Sequence, residues 1–113
     1  MSYTSAESDA PNEVFRVLAD PTRRGILEQL IQGGEQTVSA LIGGAGVSQP
    51  AVSKHLSVLK QAGLVHDRPQ GRTVHYRADF QGLAPLIDWV NVYAAFWSGR
   101  LDQLETVLEE LEP

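Results

Sequence analysis

Between Ser48 and Ser57 the chain places four side chains of one chemical kind. Gln49, Ser53, Lys54 and Ser57 all make hydrogen bonds and none is acidic. At helical spacing they fall, with Pro50, on the side away from an apolar stripe of Val52, Leu56 and Leu59. Such a face suits a duplex major groove, where Gln pairs with adenine edges, Ser with several partners, and Lys with guanine or phosphate. Free N–H groups at the start of the helix favour phosphate as well. An ordinary exposed helix has the same composition, so the face gains its meaning from what flanks it. His55 sits beside the apolar stripe, and spacing leaves two roles open: packing against the preceding helix, or turning a ring edge to a phosphate. Farther on, Arg68, Arg72 and Arg77 surround a Gln70-Gly71 tip. Arg72 is best placed to reach a neighbouring minor groove or phosphate, while the other two read as solubilising charge on edge strands.

Other chemistries find little support. No nucleophile–base–orienter set, phosphate-cradling loop or His/carboxylate cluster is visible, so the chain does not read as an enzyme and no cofactor is expected. Cysteine is absent, which removes disulfides, thiolate metal sites and sulfur redox switching. All three histidines (His55, His66, His75) lie in the 48–77 stretch, and the C-terminal part offers Asp88, Asp102 and Glu105 without a histidine. A tight transition-metal site is therefore not expected.

A formal net charge of −5 runs against nucleic-acid binding until its distribution is considered. Residues 48–77 hold five cations (Lys54, Lys60, Arg68, Arg72, Arg77) against Asp67 alone, whereas both flanking segments are acidic. A local basic island is a usable electrostatic footprint, although a solvated face would look the same. No apolar run approaches the ~18 residues needed to span a bilayer. The N-terminal MSYTSAESDAPNE lacks the basic and apolar regions of a signal peptide, so the expected location is the cytoplasm.

The elements that must hold this face follow from local signals. Residues 1–10 are small and polar and are expected to be flexible. A first short helix is expected from Asn12, with Val14, Phe15 and Leu18 on one face. Asp20 and Pro21 are a cap and a first helical position for a second helix, whose core face runs Ile26, Leu27, Leu30, Ile31 until Gly33-Gly34 stops it. Thr37 opens another helix, short because Gly43, Gly44 and Gly46 follow. Ser48 caps the helix that Gly63 closes. Two helices joined by a brief glycine-containing turn make a helix-turn-helix over about 37–62. The period then changes: residues 64–68 and 72–77 are strand-like around Pro69-Gln70-Gly71, a hairpin over about 64–77 with a loop of three residues or slightly more. The expected fold is mainly α with a small β-hairpin wing, in one domain over 11–113.

A final helix over about 80–112, capped by Asp79, carries Leu83, Leu86, Val90, Tyr93, Trp97, Leu101, Leu104, Leu108 and Leu111 at near-heptad spacing. From Leu83 onward such a helix is roughly 45 Å long. A domain this small does not readily cover Trp89, Tyr93, Phe96 and Trp97 along it. Self-association with Val14, Phe15 and Leu18 of the first helix would do so; packing on the protomer's own core is the alternative. Gly99 is a point where this helix could kink.

With these residues in view, LADPTRRGILEQL, VSQPAVSKHLSVLKQAGLV and RPQGRTVHYR together resemble the ArsR family of bacterial repressors. The tail DWVNVYAAFWSGRLDQLETVLEEL is similar to a branch of that family without metal-binding cysteines. The resemblance implies a dimeric winged helix joined through its first and last helices, with Val14, Phe15, Leu18, Leu86, Trp89, Val90, Tyr93 and Trp97 at the interface. It implies DNA contacts from Ser48, Gln49, Ser53, Lys54 and His55, from Arg72 in the wing, and phosphate contacts from Thr37 and Ser39. Many members repress their own operon and release DNA when an inducer binds. Metal-sensing members carry a cysteine pair in the stretch that corresponds to Thr37–Gly44, where this chain has none. The expected function is thus a homodimeric repressor on a palindromic operator in double-stranded DNA, with no metal sensed through cysteine and no membrane partner. The alternatives are a winged-helix module that binds protein, or the same repressor with a small-molecule or metal inducer at the dimer interface.

Overall fold

Helix caps set most of the element boundaries. The structure, a computed structural model, describes residues 5–111. Helix α1 (Ser5–Leu18) ends two residues before Asp20, whose Oδ1 accepts the Arg23 N–H at 3.0 Å and opens α2 (Pro21–Gly33). Pro21 takes the first helical position, where a missing N–H costs nothing. Gly34, at φ 78, turns the chain and returns its N–H to the Leu30 carbonyl at 3.0 Å. Strand β1 (Gln36–Thr37) passes straight into α3 (Val38–Ala45), capped by Thr37, and Gly46 closes it in the left-handed conformation at φ 69. Ser48 caps α4 (Gln49–Gln61), its Oγ accepting from Ala51 N–H at 3.4 Å.

Strands β2 (Val65–Gln70) and β3 (Thr73–Ala78) form the antiparallel wing, and β1 pairs with the other edge of β3. Asp79 accepts the Gln81 N–H at 2.9 Å to start a 3-10 turn, Phe80–Leu83, which leads into α5 (Ala84–Leu111). Gly82 is there for space: a Cβ on it would lie 2.1 Å from the Gly63 carbonyl oxygen. The turn is thereby pressed onto the α4–β2 junction, and the Asp79 N–H donates to Leu64 O at 2.9 Å.

One core holds the helix-turn-helix. Val17 of α1, Ile26, Leu27 and Leu30 of α2, Leu41 of α3, and Val52, Leu56 and Leu59 of α4 pack together with Leu64 and Val65. Helix α5 contributes no buried residue, although its 28 residues make a rod of about 42 Å. The radius of gyration is 18.9 Å, against about 13 Å for a compact chain of this length. The long helix is therefore unlike the rest of the protomer: it has no core of its own to lie on.

The fold class is the one expected, with several local differences. Helix α1 begins at Ser5 rather than near Asn12, so the segment expected to be flexible over 1–10 is helical from Ser5, while residues 1–4 lie outside the described residues. Pro11 lies inside the helix and forfeits one backbone hydrogen bond, a cost that burial of Val14 and Val17 just downstream offsets. Helix α3 continues through Gly43 and Gly44 to Ala45, since burial of Leu41 offsets the roughly 1 kcal/mol that a helical glycine costs. Strand β2 incorporates Pro69 and Gln70, and the wing turn shrinks to Gly71-Arg72, with Gly71 at φ 61. Pro69 is accommodated because β2 is an edge strand. Ile31 is 38% exposed instead of lying in the core. Asp79 caps the 3-10 turn rather than the last helix, which starts only at Ala84 and runs unbroken through Gly99; Glu112 lies outside the described residues.

Candidate nucleic-acid interface

Ser48, Gln49, Ser53, Lys54 and Ser57 are all exposed, while Val52, Leu56 and Leu59 of the same helix are buried. The helix therefore presents its hydrogen-bonding face outward. An open hollow of 240 Å³ beside its first turn is lined by Thr37, Val38 and Ser39 from the start of α3, Gln49 from α4, and Arg72, Thr73, Val74 and Tyr76 from the wing. Four of the eight residues expected to touch DNA thus meet around one concavity. Ser53 lies one helical turn beyond Gln49 on the same face, with Lys54 next to it.

Donor accounting at the two helix starts refines the phosphate argument. In α4, Pro50 has no N–H, the Ala51 N–H goes to Ser48 Oγ, and the Val52 N–H goes to the Ser48 carbonyl at 3.0 Å. Gln49 alone keeps a first-turn N–H for an outside acceptor, fewer than a generic helix start offers. In α3 the Thr37 hydroxyl takes the Ala40 N–H at 3.4 Å, which leaves the N–H groups of Val38 and Ser39. The better-supplied anion site is therefore at Thr37–Ser39.

Charges in the wing are partly spent. Lys60 Nζ pairs with Asp67 at 3.0 Å. Arg68 binds Glu35 in a two-point bridge, and His75 Nδ1 lies 3.7 Å from the same carboxylate. His66 pairs with Asp79. The Arg68 hydrogen bond is the main cause that holds the Glu35 carboxyl below the usual range, and Lys60 does the same for Asp67. Asp79 is lowered first by the Gln81 N–H and then by His66. Glu35 comes from outside the 48–77 segment, so the island is less basic in space than along the chain. Among the described residues Lys54 and Arg72 enter no ion pair, and both are exposed beside the hollow or on the α4 face.

His55 is half-buried and sits on the opposite flank of α4 from Ser53. Its Nδ1 accepts from Arg23 Nε of α2 at 3.4 Å. The two roles left open by the sequence are not exclusive. The ring meets Arg23 of α2 through Nδ1, and the residue as a whole remains partly exposed.

The surface expected to meet a second copy divides in two. Phe15 is 40% exposed, Trp89 45%, Val90 48%, Tyr93 45% and Trp97 60%. Phe15 and Trp89 stack edge-on at 5.1 Å where α1 meets α5, and Tyr93 continues the cluster 5.0 Å beyond Trp89. Val14, by contrast, is 3% exposed and belongs to the protomer's own core, so it is not part of the open face. Leu18 and Leu86 are half-buried in the protomer. The open apolar face continues along α5 through Phe96, Leu101, Leu104, Leu108 and Leu111, each more than half exposed. Among the described residues no group of three or more His, Cys, Asp or Glu side chains converges on a point, and no helix is long and apolar enough to cross a membrane.

A family model described as bacterial regulatory protein, arsR family, matches residues 20–67. The transcriptional repressor SdpR of Bacillus subtilis is 37% identical over 79 residues, covering 70% of this chain and 87% of that protein. The chain belongs to the ArsR family of bacterial regulatory proteins. An ArsR-like transcriptional regulator from Rhodococcus sp. RHA1 matches with a TM-score of 0.70 at 31% identity, over 90% of this chain and 95% of that one. The homodimeric winged helix-turn-helix DNA-binding domain of a possible ArsR-family regulator from Mycobacterium bovis matches with a TM-score of 0.65 at 32% identity, over 83% and 88%. This ArsR-family chain is a DNA-binding transcriptional regulator and not an enzyme.

Sequence reasoning missed four contributors to this ArsR-type site. Thr73 and Tyr76 line the hollow, which requires the β1–β3 pairing; a two-residue strand has no pattern of its own. Glu35 reaches Arg68 across 33 positions and Arg23 reaches His55 across 32, distances that local spacing does not report. The signal available in retrospect is the pair of adjacent arginines just inside the Asp20 cap.

Proposed function

We propose that the chain is a homodimeric repressor that works in the cytoplasm and binds a palindromic operator. Gln49, Ser53 and Lys54 read base edges in the major groove, Thr37, Ser39, Ser48 and His55 hold phosphates, and Arg72 reaches the neighbouring minor groove or backbone. The observation that carries this reading is the convergence of Thr37, Ser39, Gln49 and Arg72 on one hollow next to an acid-free helix face. The second copy is supported by the uncovered stripe on α5 and by a radius of gyration well above that of a compact chain of this length. The signal is not a metal held by cysteine, since the chain has none. A small-molecule inducer would act at the aromatic dimer interface, where Trp89, Tyr93 and Trp97 lie exposed in the protomer.

The test is a Gln49→Ala, Lys54→Ala double variant titrated against an operator duplex by fluorescence anisotropy. Loss of two base contacts at roughly 1–3 kcal/mol each lowers affinity by about 100-fold or more. Full retention of operator binding would favour the protein-interaction module instead.

A further inference from the structure

Among the described residues, Arg23 is the one side chain whose hydrogen bonds join three helices. Its backbone N–H is capped by Asp20 Oδ1 at 3.0 Å, its Nη1 donates to the Val17 carbonyl at 3.2 Å, and its Nε donates to His55 Nδ1 at 3.4 Å. The Val17 carbonyl belongs to the last turn of α1, where carbonyls have no partner within the helix. Arg24 Nη1 does the same for the Leu18 carbonyl at 2.8 Å but makes no contact with α4 among the described bonds. The two adjacent arginines thus share one task, capping α1, and only the first has another.

That other task bears on DNA. A histidine whose Nδ1 accepts a hydrogen bond carries its proton on Nε2. The Arg23 contact therefore favours the tautomer whose other ring nitrogen, Nε2, is a donor on a partly exposed residue, the form a phosphate oxygen needs. The same side chain also links the end of α1 to α4. A planar guanidinium with its donors in a fixed fork can satisfy a carbonyl and an imidazole at once, which a lysine ammonium on a flexible stem cannot hold in one geometry.

We infer that Arg23 is a positioning residue for operator binding, which couples the α1 end of the dimer frame to the reading helix and presents His55 Nε2–H to the DNA backbone. This rests on the proposed reading in which α4 meets DNA and α1 with α5 meets a second copy. A phosphate contact made through His55 needs the correct tautomer, and a pair of half-sites one turn apart needs a fixed angle between α4 and the dimer helices.

The experiment compares Arg23→Gln, Arg23→Lys and Arg24→Ala with the parent in the full-length chain. Thermal melting reports the shared capping role, sedimentation the dimer, anisotropy the operator affinity, and ¹⁵N-resolved NMR of His55 the tautomer. The parent is expected to show Nε2 protonation. Both Arg23 variants are expected to populate the other tautomer and to bind operator about five- to tenfold more weakly. Arg24→Ala is expected to lower the melting temperature similarly while keeping tautomer and affinity. Should Arg23→Gln fail to fold, Arg23→Lys carries the comparison. If the Arg23 variants match Arg24→Ala in every readout, Arg23 is only a cap and the inference is wrong. If the parent itself neither dimerises nor binds duplex, the underlying reading fails first, a different outcome.

Discussion

Removing the Trp97 side chain should take the dimer apart while leaving the protomer folded. Trp97 is 60% exposed and its aromatic neighbour within the protomer is Phe96, met edge-on at 5.7 Å. A tryptophan carries on the order of 250 Å² of surface, so roughly 150 Å² per copy awaits cover. In a two-fold dimer the same patch occurs twice, and complete cover of both would contribute about 7 kcal/mol at ~25 cal/mol/Å². Partial cover and side-chain ordering reduce this, and about half is a fair expectation. Trp97→Ala should therefore raise the dimer dissociation constant by about 10²–10³-fold. Sedimentation equilibrium over a dilution series measures this directly, and circular dichroism on the same samples checks the fold. Helix α5 adds nothing to the buried core, so the helix-turn-helix should stay folded, and any lost helical signal should come from α5 alone. Operator affinity should fall in step, since one protomer spans one half-site. A dissociation constant within threefold of the parent would refute the reasoning and place the second copy elsewhere.

Two further outcomes follow from the geometry. Gly82→Ala puts a methyl group 2.1 Å from the Gly63 carbonyl oxygen; the forced shift should cost about 2 kcal/mol and lower Tm by roughly 10 °C, and an unchanged melt would show that the 3-10 turn is not pressed on the α4–β2 junction. The Glu35 carboxyl is held below its usual range chiefly by Arg68; a lowered carboxyl contributes stability above the ordinary carboxylate pKa and loses it as pH falls through the folded value. Melts below about pH 4.5 should therefore show a decline in Tm that Glu35→Gln makes shallower, and an identical pH slope in that variant would count against the bridge.

What the sequence made legible was whatever is decided within one turn. The caps at Asp20, Thr37 and Ser48 each act on an N–H three residues away, and the Val52, Leu56, Leu59 stripe follows from helical period. The outward face of α4 is the complement of that stripe and was legible for the same reason. Pairings between distant residues were not. The β1 strand exists only because Gln36 and Thr37 meet Tyr76 and His75, Arg68 pairs with Glu35, and His55 meets Arg23. Val14 illustrates the limit from the other side: it shares the expected apolar face with Phe15, yet α1 rolls so that Val14 enters the core and Phe15 meets Trp89. Periodicity identifies an apolar face but not which partner covers each residue on it. The same holds for α5, whose stripe was evident and whose lack of a core within the protomer was not measurable until the helix was placed.

The central claim is that a dimer of this chain reads duplex DNA with two copies of α4. Selection of bound sites from random duplexes, followed by titration of the winner over a range of salt, tests it most directly. The expected result is an inverted repeat with half-site centres about 34–36 Å apart and, for roughly 6–8 neutralised phosphates, a log–log salt slope near −5 to −7. No enriched repeat and a slope near zero would contradict it.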